Sequence, residues 1–551
     1  MIGPIVITVR EDLVVNSKVG VKMRKSVAIY WNLSLAFHLF LLFFTRFSDA
    51  AFGQTSTVKT QPNILYIMSD DHARQAISSY DQSLINTPNI DRLADEGVRF
   101  TNSFVTNSIC APSRAVLLTG KYSHQNGLRD NRDTFDGAQQ TLPKLMRKAG
   151  YQTAMIGKWH LKSEPTGFDT WEILRGQGEY YNPYFLTPEG KKQIPGYATD
   201  VITDRAIETL KKRDKNKPFM MFVHHKAPHR EWLPNLKHLG LFTDTKFPLP
   251  ETFYDDYKGR IAAKEADMRI DDMFLYSDFK LQDEDFEVET GSGGKGSAVP
   301  RLKINNRKQL TAEQLKVWDS YYDKMRAEYR EANLSGKELL EWKYQRYMQD
   351  YLRCIVSVDE NVGRLLDYLD ANGLAKNTIV VYTSDQGFYL GEHGWYDKRF
   401  MYEESLSMPL LVRYPKQIEA GQISDDIVLN LDFAPTFLDY AGASIPDDFQ
   451  GETIRPVLQG ETPVNWRTSM YYHYYEYPHG WHRVKRHYGV RTQHYKLIHF
   501  YNDIDAWELF DLRSDPTEIR NLIDDPAYAG MVAELKVELN RLQVKYQEIL
   551  E

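Results

Sequence analysis

Short apolar runs rich in β-formers alternate with helical stretches along the chain from Asn63 onward. This alternation is typical of an α/β fold with a mostly parallel sheet that is covered by helices on both faces. Four predicted strands end in polar side chains: Asn63–Met68 runs into Ser69, Asp70 and Asp71, Thr153–Ile156 into Gly157, Lys158, Trp159 and His160, Pro218–Val223 into His224 and His225, and Ile379–Thr383 into Ser384, Asp385 and Gln386. Because open α/β sheets bind ligands at the carboxyl ends of their strands, we expect the functional site there.

The alternation breaks down between about residues 233 and 340. This stretch is charged and aromatic and contains a Gly-rich loop at Gly291–Gly296, which indicates an insertion that could overhang the site. Apolar residues at helical spacing then predict one long helix, roughly over Gly336–Ala371. Cys354 lies in this helix, where a small buried apolar side chain is the expected role.

The composition changes again after about residue 460. Closely spaced tyrosines and histidines are followed by a strand-like run at Trp507–Leu512 and by a helical pattern from about Tyr528. These features predict a smaller α+β unit in which a helix covers an antiparallel sheet. We therefore expect a catalytic domain over residues 60–460 and a C-terminal subdomain over residues 461–551.

The beginning of the chain has the pattern of an export signal. A basic stretch at Lys22–Lys25 precedes an apolar run at 27–44, which small and polar residues follow up to about residue 51. We expect residues 1–51 to be cleaved during export, so that the mature protein is periplasmic or secreted without stable membrane insertion. A single membrane anchor is the alternative, because the run approaches the length of a spanning helix. Met23 is an alternative start.

Charge and cysteine content narrow the function classes. The 551 residues carry a formal net charge of -7, so there is no general basic field and we expect no nucleic-acid partner. An anionic substrate would need a local cluster of cations. The only two cysteines are too few for a disulfide framework.

The segment from Cys110 to Tyr122 has the sequence CAPSRAVLLTGKY. Pro112 restricts the backbone before a predicted helix, which places Cys110 at the positive end of that helix, where an anion is stabilised. Without further information, a capped helix beside a buried cysteine would also fit.

This segment resembles the signature of type I sulfatases in the alkaline-phosphatase-like superfamily, and the resemblance extends over nearly the whole chain from Asn63. In that family a maturation enzyme oxidises the signature cysteine to formylglycine, and the hydrated aldehyde is the nucleophile. The resemblance implies that Cys110 is this residue and that the unmodified thiol is nearly inactive.

Acidic residues at two strand ends predict a cation site. Asp70, Asp71 and Asp385 offer hard oxygen ligands suited to Ca²⁺, with Mg²⁺ as the alternative. The resemblance adds the oxygen derived from Cys110 and the amide oxygen of Gln386, where many relatives carry Asn. An Asp-Asp pair alone would fit a turn or a helix cap equally well.

A sulfate ester is anionic and has a poor alkoxide leaving group, so its site must neutralise the transferring group and protonate the departing oxygen. The resemblance implies that Arg114 and Lys158 hold the hydrated aldehyde and that Lys158 and Lys398 bind sulfate. It also implies that His160 accepts a proton from the hydroxyl that remains after transfer.

The ending Ala-Pro-His of the run from His224 to His229 matches the family motif. His229 is therefore expected to bind sulfate and to donate a proton to the leaving oxygen, with His225 as the second choice. Taken singly, each of these lysines and histidines would be a solvated charge or an ordinary hydrogen-bonding group.

The substrate is expected to be a sulfated glycan. Runs such as Gly176–Pro183 and Arg486–Arg491 resemble sulfatases that act on N-acetylglucosamine 6-sulfate in heparan-type or mucin-type glycans. Aromatic and imidazole groups that could contact the sugar, or pack structurally, are Trp232, His479, Trp481 and His482. Alternatives are a sulfatase for another sugar sulfate, a phosphate or phosphonate ester hydrolase of the same superfamily, and an inactive glycan-binding homologue.

Overall fold

A computed structural model describes residues 61–281 and 306–549 of the chain. The predicted export signal at 1–51 and the loop Gly291–Gly296 lie outside the described residues. No helix in the described ranges is both long and apolar enough to cross a membrane.

A large mixed sheet forms the centre of the fold. Its ten strands are β1 (Asn63–Ser69), β2 (Val98–Phe100), β4 (Gln152–Gly157), β5 (Thr170–Leu174), β6 (Tyr184–Thr187), β7 (Gly190–Gln193), β8 (Phe219–His224), β9 (Thr378–Ser384), β12 (Leu410–Arg413) and β13 (Gln422–Ser424). They are arranged in the order β13-β2-β12-β9-β1-β8-β4-β5-β6-β7. The central strands β9, β1, β8, β4 and β5 run parallel, whereas β12, β6 and β7 run antiparallel to their neighbours. The predicted mostly parallel centre is confirmed.

Both faces of this sheet are buried, as the near-continuous apolar strands predict. In β1, Leu65 and Ile67 belong to one core cluster, while Ile64, Tyr66 and Met68 belong to the other. Successive side chains of a strand point to opposite faces, so one strand contributes to both cores.

The described residues contain twelve α-helices, several of which cover the two faces of this sheet. They are α1 (Pro88–Asp95), α2 (Cys110–Thr119), α3 (Ser123–Asn126), α4 (Leu142–Lys148), α5 (Ala198–Lys212), α6 (Ile261–Glu265), α7 (Ala312–Ala332), α8 (Gly336–Ala371), α9 (Glu403–Leu406), α10 (Phe433–Ala441), α11 (Arg455–Leu458) and α12 (Ala529–Lys545). The predicted long helix is α8, and Cys354 within it is fully buried. Residues of α8, α5 and α1 share one core cluster, and residues of α2, α4 and α10 share the other.

The stretch 233–340 contains a helix that the sequence pattern did not predict. Helix α7 begins with a capping box, in which the Thr311 side chain accepts from the backbone amide of Gln314. Only Trp318, Tyr322 and Met325 of this helix are buried. With so few buried positions in 21 residues, the helical period is weak in the sequence.

A separate antiparallel sheet confirms the predicted C-terminal α+β arrangement. Its strands are β15 (Ser469–Tyr474), β16 (His487–Thr492), β17 (Tyr495–Phe500) and β18 (Ala506–Asp511), paired in sequence order. Leu535, Leu539 and Leu542 of α12 belong to the same core cluster as Leu497 and Leu509 of the sheet. The described residues from Gln61 onward belong to one compact unit, so the domain boundary at residue 460 stays a prediction.

The remaining short strands of the described residues form two separate two-stranded sheets. They are β3 (Ser103–Phe104), β10 (Tyr389–Leu390), β11 (Tyr396–Asp397) and β14 (Val428–Leu429). The pairing of β10 with β11 matters for function, because Lys398 follows β11 directly.

Candidate active site

The ends of the central strands bring the sequence-predicted residues together. Strand β1 lies between β8 and β9, and Ser69 pairs with Ser384 at their carboxyl ends. Asp70 and Asp71 therefore emerge beside Asp385. The backbone amide of Asp71 donates to Oδ1 of Asp385, with 3.1 Å between N and O. Asp71 has a φ of 67°, a left-handed conformation that is strained for a non-glycine residue and is frequent at functional sites.

Cys110 is the first residue of helix α2, with Ile109 in extended conformation at the N-cap. Its Sγ lies 3.4 Å from Oδ1 of Asp70. Burial, reinforced by the negative charge of Asp70, raises the pKa of the Cys110 thiol far above its ordinary value. Since the thiolate is the nucleophilic form of cysteine, the unmodified side chain is a poor nucleophile here.

Three carboxylates cluster beside Cys110. Asp70, Asp71 and Asp385 are each at most 1% exposed, and one oxygen of each lies within 4.8 Å of the others. Burial, with the neighbouring charge of Asp70, raises the pKa of Asp385 to about 7. The same two causes raise the pKa of Asp71 to about 6, although Lys398 acts in the opposite direction. Burial opposes ionisation of Asp70, yet Lys158 and further positive groups hold its pKa well below the ordinary value.

The donor set of this cluster fits a hard divalent cation. Gln386 follows Asp385, and its Oε1 is buried with no hydrogen-bond partner among residues 61–281 and 306–549. Its Nε2 donates to Asp71. The nitrogen and the oxygen of a side-chain amide exchange positions when the amide group is flipped, so Oε1 can occupy either position. The cluster can therefore present carboxylate oxygens and an amide oxygen to one ion.

Each carboxylate also has a cationic partner. Arg114 lies one helical turn after Cys110, and its Nη2 is 2.8 Å from Oδ2 of Asp385. Lys158 forms an ion pair with Asp70. Nζ of Lys398 is 2.7 Å from both carboxylate oxygens of Asp71. All three cations are nearly inaccessible, so the site is a dense buried network of opposite charges.

Two histidines approach the network from different sides. Nδ1 of His229 lies 2.6 Å from the backbone carbonyl of Arg230, so Nδ1 carries the proton and donates it. Nε2 of His229 is 3.8 Å from Oδ2 of Asp71. Burial, with a contribution from Lys158, lowers the pKa of both His229 and His160 well below the ordinary value. Both imidazoles are therefore neutral at pH 7.

A cavity of about 680 Å³ opens from this network to the surface. Cys110, His160, His229 and Lys398 lie in its wall. Part of the 233–340 stretch contributes to this wall, because Phe274, Tyr276, Ser277 and Asp278 also line the cavity. The volume is in the range of small-ligand sites and would accommodate a saccharide unit.

Two of the four residues that we expected to contact the sugar lie in the wall of this cavity. Trp481 and His482 line it, and Trp481 is 50% exposed. Trp232 is 1% exposed and packs edge-on against Tyr347 instead. His225 is fully buried and His479 is exposed, and neither is among the lining residues.

The chain matches known protein families over nearly all of the described residues. A family model described as Sulfatase matches residues 62–443. The chain belongs to the sulfatase family. A second model, described as N-sulphoglucosamine sulphohydrolase, C-terminal, matches residues 391–545 of this sulfatase.

Individual relatives resemble this sulfatase over most of its length. The N-acetylglucosamine-6-O-sulfatase of Bacteroides thetaiotaomicron is 54% identical over 495 residues, which cover 89% of this chain and 87% of the relative. A solved structure described as a complex with its substrate D-glucosamine-2-N,6-O-disulfate is 53% identical, with a TM-score of 0.84 over 89% of this chain and 99% of that chain. A phosphonate monoester hydrolase from Silicibacter pomeroyi is 20% identical with a TM-score of 0.65, over 88% of this chain and 96% of that one, and shows the shared fold.

Several residues that line the cavity of this sulfatase were not predicted from the sequence. Asp397 and Arg399 flank Lys398, have φ values of 79° and 99°, and both line the cavity. Oδ2 of Asp397 is 3.1 Å from Nε2 of His482. With these positive φ values, three consecutive residues of this short segment line the cavity, which no sequence period reveals. Lys226, three residues before His229, also lines the cavity.

Proposed function

We propose that this sulfatase hydrolyses the 6-O-sulfate ester of N-acetylglucosamine in a glycosaminoglycan or mucin-type glycan, at the centre built around Cys110. The observation that carries the substrate is the 54% identity to a bacterial N-acetylglucosamine-6-O-sulfatase over 89% of the chain. A solved structure at 53% identity, described as a complex with its substrate D-glucosamine-2-N,6-O-disulfate, agrees with it. The cavity beside Cys110 has room for one such sugar.

Conversion of Cys110 to formylglycine would supply an aldehyde hydrate as the nucleophile, which requires a maturation enzyme as partner. The protonated, buried thiol supports this proposal, because it is unsuited to attack by itself. Arg114 and Lys158 are placed to orient the converted side chain, since both contact carboxylates that adjoin Cys110.

A divalent cation, proposed to be Ca²⁺ with Mg²⁺ as the alternative, would be held by Asp70, Asp71, Asp385, Gln386 and the converted side chain of Cys110. When bound, it supplies positive charge that offsets the charge of the carboxylates and of the incoming sulfate. The raised pKa values of Asp71 and Asp385 support this assignment, because burial and the charge of Asp70 disfavour their ionised forms even beside Lys398 and Arg114, and a bound cation would offset that cost.

Lys158 and Lys398 would bind the sulfo group, and His229 would protonate the departing sugar oxygen. Nδ1 of His229 donates to a backbone carbonyl, so Nε2 is the atom that can carry the mobile proton. An approaching sulfate raises the pKa of this imidazole and so loads it for donation. His160, held neutral by burial and by Lys158, is suited to accept the proton whose removal releases sulfate.

We also propose that the chain is exported through its N-terminal segment to the periplasm or the exterior. The basic stretch Lys22–Lys25 and the apolar run at 27–44 support this proposal.

Sulfate release from N-acetylglucosamine 6-sulfate tests the proposed activity. The purified chain, after maturation, should release sulfate, and Cys110→Ala should release none. Turnover of an aryl sulfate should also exceed that of the matching aryl phosphate. This comparison is informative because a phosphonate monoester hydrolase has the same fold. Full activity of Cys110→Ala, or a preference for the phosphate, would contradict the proposal.

A further inference from the structure

Lys226 is a buried lysine without a counter-ion at the edge of the reaction centre. It is 5% exposed and lines the cavity together with Cys110 and His229. Within residues 61–281 and 306–549, its ammonium forms neither an ion pair nor a hydrogen bond. Its Nζ lies 4.8 Å from the centre of the Tyr180 ring.

Two of the nearby carboxylates form ion pairs with other lysines. Asp70 pairs with Lys158, and Asp71 pairs with Lys398. Glu231 lines the same cavity but forms no ion pair with Lys226 among the described residues. Lys226 therefore differs from Lys158 and Lys398, whose charges are already offset within the protein.

A buried ammonium without a partner destabilises a fold. Burial, with the repulsion of Lys158, lowers the pKa of Lys226 to about 8. Packing against Tyr180 does not require a charge, because an apolar side chain of similar length would contact the ring equally well. Because Lys226 lines the cavity, an anion that enters the cavity can supply a counter-charge.

The position of Tyr180 connects Lys226 to the proposed proton donor. The Tyr180 hydroxyl donates to the backbone carbonyl of His229, with 2.6 Å between the oxygens. Tyr180 also lines the cavity. The Tyr180 ring that contacts the ammonium is thus hydrogen-bonded to His229, the proposed proton donor. This bond keeps Lys226 close to where a sulfated sugar would bind.

We propose that Lys226 is a substrate-binding residue whose ammonium pairs with a sulfo group of the sugar. The inference rests on the proposed function and adds a specificity determinant to it. Two sulfo groups have the required chemistry: the 6-O-sulfo group that is hydrolysed, and a second sulfo group on the sugar nitrogen.

The test compares Lys226→Met with the wild-type chain on N-acetylglucosamine 6-sulfate and on glucosamine 2-N,6-O-disulfate. Lys191→Met is the matched control, because Lys191 also lies over a tyrosine ring, at 3.9 Å from the Tyr184 centroid, but is exposed and outside the cavity. We expect Lys226→Met to lower kcat/KM at least tenfold on the disulfate, and Lys191→Met to change it less than twofold.

The two sources of the sulfo group give different patterns. If Lys226 binds the hydrolysed group, kcat/KM falls equally on both sugars and the inhibition constant of inorganic sulfate rises. If Lys226 binds the N-sulfo group, only the disulfate is affected. Values of kcat/KM within twofold of wild type on both sugars would overturn the inference, and so would a lower melting temperature with unchanged kcat/KM, since the charge would then serve the fold.

Binding measurements distinguish the proposed role of Lys226 from the proposed function. Calorimetry on Cys110→Ala chains, with and without Lys226→Met, measures the affinity for both sugars without turnover. A loss of affinity for either sugar supports the role of Lys226 even if the wild-type chain releases no 6-O-sulfate, a result that would contradict the proposed function alone. Equal affinities would overturn the role of Lys226 alone.

Discussion

The backbone amide of Asp71 donates to Oδ1 of Asp385, joining the carboxyl ends of two neighbouring parallel strands. This bond places the two residues side by side at the edge of the sheet. Burial and the charge of Asp70 raise the pKa values of their carboxyl groups to about 6 and about 7.

Removal of the divalent cation should abolish activity and lower stability. Because the folded-state pKa values of Asp71 and Asp385 lie above the ordinary value of 3.8, the metal-free fold holds protons that the unfolded chain has lost. Metal-free stability should thus be greatest below about pH 4 for these two groups and should fall as the pH rises through 6 to 7.

Thermal unfolding with chelator or with Ca²⁺ measures this effect. The stabilisation by Ca²⁺ should grow from pH 5 to pH 8 and reach about 2.7 kcal/mol when the ion is at a hundredfold its Kd. A stabilisation that shrinks with rising pH would contradict the assignment. The variant Asp385→Asn should reduce the Ca²⁺ effect.

Replacement of His229 should affect natural substrates more than activated ones. A sugar alkoxide needs a proton as it leaves, whereas a nitrophenolate does not, so His229→Ala should lower kcat on the sugar sulfate about 10²- to 10⁴-fold and much less on a nitrophenyl sulfate. The exposed His479 supplies the control, and His479→Ala should retain kcat. Equal losses on both substrates would show that His229 binds sulfate without acting as the acid.

Trp481 should contribute to sugar binding from the rim. It lines the cavity and is half exposed. An aromatic contact of about 0.5–1.5 kcal/mol corresponds to a rise in KM of roughly 2- to 10-fold for Trp481→Ala. The KM for a nitrophenyl sulfate, which lacks the sugar, is the comparison. An unchanged KM for the sugar sulfate would remove Trp481 from the site.

The conversion of Cys110 to formylglycine can be measured directly. Peptide mass spectrometry of the active protein should find the aldehyde in place of the thiol at residue 110, and specific activity should rise in proportion to the converted fraction. Co-expression with a maturation enzyme should increase both. Activity in a preparation that contains only the thiol would refute the formylglycine proposal.

The sequence predicted the parallel centre of the fold well. The strands that precede Asp70, Lys158 and Asp385 are long, apolar and buried on both faces, so their pattern is strong and their ends fall within about a residue of the prediction. The residues that follow parallel strands must meet at one edge, which is why the charged network could be anticipated. Helix α7 was not predicted, because its mostly exposed surface leaves little periodicity.

The wall of the cavity was harder to predict. Whether an aromatic side chain faces a cavity or a core depends on tertiary packing, and Trp232 packs against Tyr347 whereas Trp481 reaches the cavity. Asp397 and Arg399 depend on positive φ values that no residue pattern indicates. Lys226 lies in the same motif as His229, and only the three-dimensional structure shows that its ammonium has no ion-pair partner among the described residues.

The most direct test of the central claim is the initial rate of sulfate release from a panel of monosaccharides that differ only in the sulfated position and the sugar. We expect N-acetylglucosamine 6-sulfate to be hydrolysed faster than N-acetylglucosamine 3-sulfate and galactose 6-sulfate. Faster release from a galactose or uronic-acid sulfate would contradict the 6-O-sulfated glucosamine assignment, and release from none of them would contradict carbohydrate desulfation altogether.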